Sequence, residues 1–368
     1  MDFVLPEYHP PDFSRLQFTD APVVTFERVT KEAVAPAGFH ATSIFPEYFH
    51  LGSDAWRLVD ESRMDCTVVL EGDGSLAVTE FRRLIPGDLV ACGRRENGED
   101  GIFVHTGAFR FPPRSMEKFA FRGRLTRETS FSIDYDELHG LLQFERESGF
   151  ILWVLGPAVV FDRDSRESFV KLIDQGYVHG LHAGNALAVH DIEASLFGTA
   201  LGREIYSKKG AHLGHYNHLD AINRIAAIGS LKEAVEAGHV AHGIMRAAIS
   251  RSIPYVLAGS IRDDGPLPGV VRDVCRAQDD LRALTRRATT VIGLATQLHA
   301  IATGNLLPSY RVTGAGVRPV YFFNVDMSEF VAAKLADRGS LTARSILTNV
   351  QDFVVTLERG LREACRSG

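Results

Sequence analysis

Residues 150–161 read FILWVLGPAVVF, and the reading of this stretch decides the fold. A bilayer crossing needs about 20 apolar residues, and Gly156-Pro157 breaks this run well short of that. A short, unbroken apolar run closed by a small-residue turn is the pattern of a strand covered on both faces. Further along the chain the pattern repeats. Strand candidates fall at Ile151–Leu155 and at 178–182, 254–258, 290–295 and 320–325, with helical periodicity between them at 165–175, 231–237 and 269–286. Apolar strands alternating with helices predict a parallel sheet with helices on both sides, a doubly wound α/β domain over 151–368. Ligands of such sheets bind at the carboxyl ends of the strands.

Toward the amino terminus the texture changes. Residues 36–112 hold short runs of β-forming residues, such as Thr67–Leu70 and Leu76–Thr79, separated by turn chemistry at Gly72-Asp73-Gly74 and Pro86-Gly87-Asp88. They predict a small β-rich domain, mostly antiparallel. Residues 113–150 read as a linker followed by a helix carrying Leu138, Leu141, Leu142 and Phe144 on one side. Residues 1–35 show no sustained period and read as an arm.

Composition narrows the function classes. A chain of 368 residues has room for roughly two domains of about 150 residues. With 45% hydrophobic and 23% charged residues it has the make-up of a soluble protein. Forty Lys and Arg against 46 Asp and Glu give a net charge of −6, so a phosphate-tracking surface would work against the overall field, and no nucleic-acid partner is expected. The start, MDFVLPEYHPPDF, carries acids and prolines instead of a basic patch and an apolar core, so no targeting or membrane segment is expected. Cys66, Cys92, Cys275 and Cys365 form no C-x-x-C pair, which fits a reducing compartment, and a cytoplasmic location is expected.

Small or polar residues follow nearly every strand candidate: Gly156-Pro157, Ala183-Gly184-Asn185, residues 259–265 (GSIRDDG) and Asn324-Val325-Asp326. Glycine lets backbone amides approach a phosphate, and a helix amino terminus behind them favours negative charge, so a nucleotide is the natural occupant. The G-x-G-x-x-G fingerprint is missing, and most glycine turns are only turns. Asn185 is placed to cap a helix with Val189, Ile192 and Leu196 on its apolar face, leaving His190, Asp191 and Glu193 off that face. His190 beside Asp191 is either a proton-moving pair or ordinary first-turn polarity. In residues 260–268 (SIRDDGPLP) two prolines stiffen a loop in which Arg262 can meet an anion while Asp263 or Asp264 meets a cation or serves as base. The alternative is a salt-bridged surface turn. Thr303-Gly304-Asn305, Asp326 and residues 334–339 (KLADRG) offer groups for ribose and phosphate. His212, His215 and His218 have permissive spacing for zinc but lack Cys or an H-E-x-x-H helix, and no metal is expected.

Seven segments in order, GPAVVF (156–161), AGNALAVHDIE (183–193), GTALG (198–202), GHYNHLDAINRI (214–225), VLAGSIRDDGPLP (256–268), LHAIATGNLLPS (298–309) and VDMSEFVAAKLADRGS (325–340), resemble the LOR/SDH-type conserved domain of archaeal-type NAD-dependent ornithine cyclodeaminases, a domain also found fused to arginine dihydrolase. GFHATSIFP (38–46), RMDCTVVL (63–70) and GDLVACG (87–93) resemble that family's small β domain. The resemblance implies a Rossmann-like, deoxyhypusine synthase-like NAD-binding domain behind the β domain, a homo-oligomer, and NAD as a retained cofactor. It implies a lyase that turns ornithine or a related diamino acid into proline or a cyclic imino acid plus ammonia, with hydride lent to NAD and returned. It assigns Gly156, Pro157, Gly184, Asn185, Ala186, Ser260, Ile261, Arg262, Thr303, Gly304, Asn305, Asp326, Asp337 and Arg338 to NAD, and His190, Asp191, Asp263 and Asp264 to catalysis or substrate binding. Tyr216 stands where the family's G-H-R-x-H-L motif has Arg, and residues 130–135 (SFSIDY) replace a segment close to V-S-S-E, so a different amino-acid substrate is compatible. Two other classes remain open: an amino-acid or opine-type dehydrogenase that releases NADH, and a non-catalytic NAD or amino-acid sensor.

Overall fold

The computed structural model describes residues 3–52, 55–110, 132–261, 263, 265–314, 316–328, 330–338 and 340–367. The amino-terminal part contains β1 (Glu7–Tyr8), α1 (Leu16–Thr19), β2 (Thr25–Arg28), β3 (Glu47–His50), β4 (Trp56–Leu58), β5 (Thr67–Leu70), β6 (Leu76–Thr79), β7 (Leu89–Cys92), β8 (Ile102–Val104) and β9 (Phe109–Arg110). Two antiparallel sheets, β2-β7-β5-β6 and β4-β3-β8, close over Phe49, Val68, Val78, Ala91 and Ile102. The β5–β6 hairpin turns where Gly74 takes φ +83°, a left-handed conformation that suits glycine. Strand β2 lies within the segment read as an arm, yet all four of its residues pair with β7. With Thr25, Glu27 and Arg28 exposed and only Phe26 turned to the core, it offered no apolar run to detect.

The rest of the chain contains α2 (Ser132–Ser148), β10 (Ile151–Leu155), α3 (Arg163–Asp174), β11 (Gly180–Gly184), α4 (Asn185–Phe197), β12 (Thr199–Ala200), β13 (Arg203–Glu204), α5 (His215–Ile228), α6 (Leu231–Glu236) and α7 (Ile244–Ser250). It continues with β14 (Tyr255–Ala258), α8 (Val274–Thr285), β15 (Thr290–Leu294), α9 (Gln297–Leu306), β16 (Tyr310–Thr313), β17 (Gly316–Pro319), β18 (Tyr321–Asp326), α10 (Phe330–Arg338), β19 (Ala343–Leu347) and α11 (Val350–Ser367). Six strands form one sheet in the order β14-β11-β10-β15-β18-β19, and every neighbouring pair is parallel. Numbered within the domain, that order is 3-2-1-4-5-6, the doubly wound dinucleotide-fold arrangement, whose chain reverses direction across the sheet between β10 and β15.

Strand β10 is wholly buried because successive side chains enter different cores. Trp153 and Leu155 pack with Leu181, Ile292 and Phe323 under α3, α4 and α11, while Leu152 and Val154 pack with Val291 and Phe322 under α8, α9 and α10. Strand β19 was not expected: Arg344 and Ser345 interrupt its apolar pattern. Helix α8 starts five residues later than its periodicity suggested, because Gly269 is left-handed at φ +90° and Asp273 caps the helix by accepting from Arg276 N at 2.7 Å.

The β domain is fastened to α8 and the β16–β17 hairpin. Arg282 of α8, almost fully buried, pairs with Glu80 and donates to Val78 O at 3.2 Å, while Arg63 reaches Glu80 at 2.8 Å. Tyr310 donates its hydroxyl to Val59 O at 2.7 Å.

Candidate active site

At the carboxyl edge the ends of β10 and β15 converge. Gly156 N donates to Leu294 O at 2.8 Å, and a Cβ at Gly156 would lie 2.0 Å from Ala295 O, so only glycine allows this approach. Ala295 itself takes φ +45°, a conformation L residues rarely hold and one that concentrates at functional sites. Helices α4 and α9 both open at this edge without a side-chain cap, behind Gly184 and Thr296. Helices α3, α6 and α8 are capped by Asp162, Ser230 and Asp273, whereas α5, like α4 and α9, has no side-chain cap. Uncapped first-turn amides at a strand edge are an anion site in waiting.

Between β11, β14 and β15 a polar cluster closes the edge. Asn185 accepts from Leu267 N at 3.0 Å and donates to Asp263 Oδ1 at 3.4 Å, and Asp263 Oδ2 accepts from Ser260 N at 2.8 Å. His299, in the first turn of α9, lays its ring over Gly184, where a Cβ would meet Cε1 at 2.6 Å. Burial holds His299 below the ordinary imidazole value, and the Asp263 charge pulls it partly back. His182 stands edge-on to it, ring centroids 5.1 Å apart, with its pKa lowered to about 3 by burial and by His299. Neither histidine stood out in the sequence, where a lone His in or beside an apolar run reads as packing.

His182 also belongs to a row that crosses the sheet through Val154, Gly293, Asn324 and Ser345, one step beneath the edge residues Gly156 and Gly184. The side-chain amide of Asn324 is fully buried, and among the described residues neither its atoms nor Ser345 Oγ beside it has a hydrogen-bond partner. Buried polar groups of this kind are uncommon in a native core, and here they lie directly beneath the open edge.

His190, Asp191 and Glu193 lie off the expected apolar face of α4 and yet are all buried, because helices pack on that side as well. Asp191 pairs with Arg166 at 2.6 Å and accepts from Ile244 N at 3.1 Å and Met245 N at 2.8 Å, so it serves as the amino-terminal cap of α7. Three protein donors thus hold this carboxylate, which has no exposed surface, in a structural position between α3, α4 and α7. His190 donates to Glu193 at 2.9 Å, and Glu193 also accepts from Thr199 Oγ1, Leu201 N and Gly202 N at 2.8, 3.2 and 2.9 Å. Burial raises the Glu193 carboxyl, but these donors outweigh it and hold the group below its usual range. His218, not His212 or His215, approaches this pair, with ligating atoms of His190, Glu193 and His218 within 4.8 Å of one another. The Glu193 carboxylate is already filled by its four donors.

The remaining candidates divide. Pro157, Ala186, Ser260, Ile261 and Asp326 lie on the edge or in the turns leaving it. Ile261, Met327 and Phe330 expose apolar side chains there, at 105%, 73% and 51%. Thr303 is buried behind His182, which it meets at 2.8 Å. Gly304 lets α9 approach α10, since a Cβ would strike Leu335 at 2.4 Å. Asn305 lies at the far end of α9, where its carbonyl accepts from Arg63 at 3.0 Å, so the fold does not bring it to the edge. Asp337 and Arg338 fall in the last turn of α10, and their side chains lie outside the described residues, as do Arg262 and Asp264 altogether. Tyr216 is exposed, its ring tilted against that of His215 with centroids 4.4 Å apart; residues 130 and 131 of the other divergent segment lie outside the described set.

The family model for the arginine dihydrolase ArgZ-like C-terminal Rossmann fold matches residues 138–357. The ornithine cyclodeaminase of Methanopyrus kandleri is 38% identical over 348 residues, covering 92% of this chain and 78% of its own. The crystal structure of a LOR/SDH protein from Methanococcus maripaludis S2 superposes with a TM-score of 0.79 at 34% identity, over 94% of this chain and 98% of that one. The ternary complex of AgrE with ornithine and NAD+ superposes with a TM-score of 0.57 at 30% identity, over 95% of this chain and 47% of that one; AgrE is the bifunctional arginine dihydrolase/ornithine cyclodeaminase of Nostoc sp..

Proposed function

The chain belongs to the ornithine cyclodeaminase family with an ArgZ-like C-terminal Rossmann domain, and on that premise we propose that it is an NAD-dependent lyase converting L-ornithine, or a close diamino acid, to L-proline or a cyclic imino acid with release of ammonia. The observation that carries this reading is the open edge at the β10/β15 switch point, where two long helices present uncapped amides beside a glycine-only contact. The residues present fit a dinucleotide. The first turns of α4 and α9 would receive its pyrophosphate, Asp326 at the end of β18 would meet a ribose hydroxyl, and the Asn324 amide, without a partner among the described residues, would offer a donor and an acceptor beneath the edge. The exposed apolar side chains of Ile261, Met327 and Phe330 are suited to cover a planar ring and exclude water from it.

Bound NAD would supply a hydride acceptor for the substrate Cα–H and give the same hydride back, so the reaction has no net redox change. Asp263, fixed by Asn185 and the Ser260 amide, is oriented to receive a substrate ammonium. Loss of the α-nitrogen as ammonia and ring closure by the δ-amine both require proton transfer at the substrate nitrogens, which a group at this edge must handle.

Incubating purified protein with NAD and a panel of diamino acids, with ammonia, product mass and reduced nicotinamide followed together, tests the reading. Stoichiometric ammonia and a cyclic product without accumulation of NADH supports it. Accumulating NADH identifies a dehydrogenase, and NAD binding without ammonia identifies a sensor.

A further inference from the structure

We propose that His299 is the proton-transfer residue of this site, held in place by the chain His182–Thr303, and that the His190–Asp191 pair takes no part in the chemistry. The inference rests on the lyase reading above and adds the identity of its acid–base group.

The hydrogen bonds settle the direction of the chain. Thr303 Oγ1 has one proton and donates it to His299 O at 2.7 Å, so at its 2.8 Å contact with His182 it accepts, and His182 Nδ1 carries the proton. His182 is thereby a fixed neutral wall against which the His299 ring stands edge-on, with Gly184 on another side admitting no Cβ. Among the described residues, the titratable groups that face His299 are Asp263, from the loop after β14, and His182, from β11; Thr296 Oγ1 lies 3.4 Å from its Nδ1 on its own turn. A neutral imidazole in the field of a fixed carboxylate can accept a proton from the substrate α-ammonium and hold it as an imidazolium. The same proton then returns to the nitrogen that departs as ammonia, so the group ends as it began. Asp191 is fully buried and spent on Arg166 and the start of α7, and His190 is buried within α4 with its Nδ1 given to Glu193, so neither meets the open edge.

Three measurements test this. In NMR of the cofactor-free protein, the His299 ring should titrate below the ordinary imidazole value, and lower still in D263N, which removes the opposing charge; titration at or above the ordinary value overturns the proposal. H299Q should lower kcat by about 100-fold or more, within the general acid–base range; undiminished kcat overturns the proposal. T303V should move the acidic limb of the kcat pH profile, which a purely structural role would leave in place; an unmoved limb removes the positioning chain. If the wild-type protein turns over no diamino acid, the lyase reading itself falls and this proposal with it, whereas failure of H299Q alone sinks only the proposal.

Discussion

At Asp191 a carboxylate with no exposed surface meets a guanidinium and two backbone amides, and the consequences differ from those of a catalytic acid. Removing one partner of a buried ion pair leaves the other uncompensated, at a cost of about 3–5 kcal/mol. D191A should lose about that much in urea unfolding, and a fully stable D191A would show that the carboxylate is not structural. His182 carries a pH signature. Its folded pKa, about 3, lies below the unfolded value, so the unfolded chain binds the proton first as pH falls, and stability declines on acidification. Relative to H182Q, the wild type should lose about 3 kcal/mol of unfolding free energy between about pH 7 and about pH 4, using about 1.4 kcal/mol per unit. Parallel curves for the two proteins would contradict the assignment. Of the candidate site, the sequence made Gly156, Gly184, Asn185, Ser260 and Asp263 legible because strand-end turns announce themselves. It did not reveal His182 or His299, whose meaning comes from a contact between residues far apart in the chain.

Among elements, the strands most visible in sequence are those buried on both faces, β10 and β15 above all, since no polar residue interrupts them. Edge strands β2 and β19 escaped notice for the opposite reason: each carries Arg within a short span. Helix α4 misleads by amphipathicity. It is packed by the sheet on one side and by α5 and α7 on the other, so its polar residues are paired inside the protein instead of facing solvent. The junction of β10 and β15 gives an element-scale prediction. G156A forces a Cβ onto the Ala295 carbonyl, which cannot rotate away as a side chain would. The substitution should destabilise by about 1–3 kcal/mol, as overpacking does, and weaken NAD binding by displacing the strand ends. Thermal denaturation and NAD titration of G156A check both, and unchanged values would show that the convergence is not needed.

At the scale of the whole molecule, the order of small β domain followed by doubly wound α/β domain was readable from the change in pattern alone. What was hidden is how tightly the two are joined, since Glu80, Arg63 and Arg282 are far apart in sequence and meet only in the fold. E80A strands two guanidiniums in a buried interface, which should cost about 3 kcal/mol or more and separate the unfolding of the β domain from that of the α/β domain in calorimetry. A single unshifted transition in E80A would mean that the interface does not couple them. The account as a whole turns on where the dinucleotide lies. A crystal structure of the protein with NAD should show the pyrophosphate against the first turns of α4 and α9, outside the ends of β10 and β15. Density for NAD at any other place, or none at saturating NAD, would contradict it.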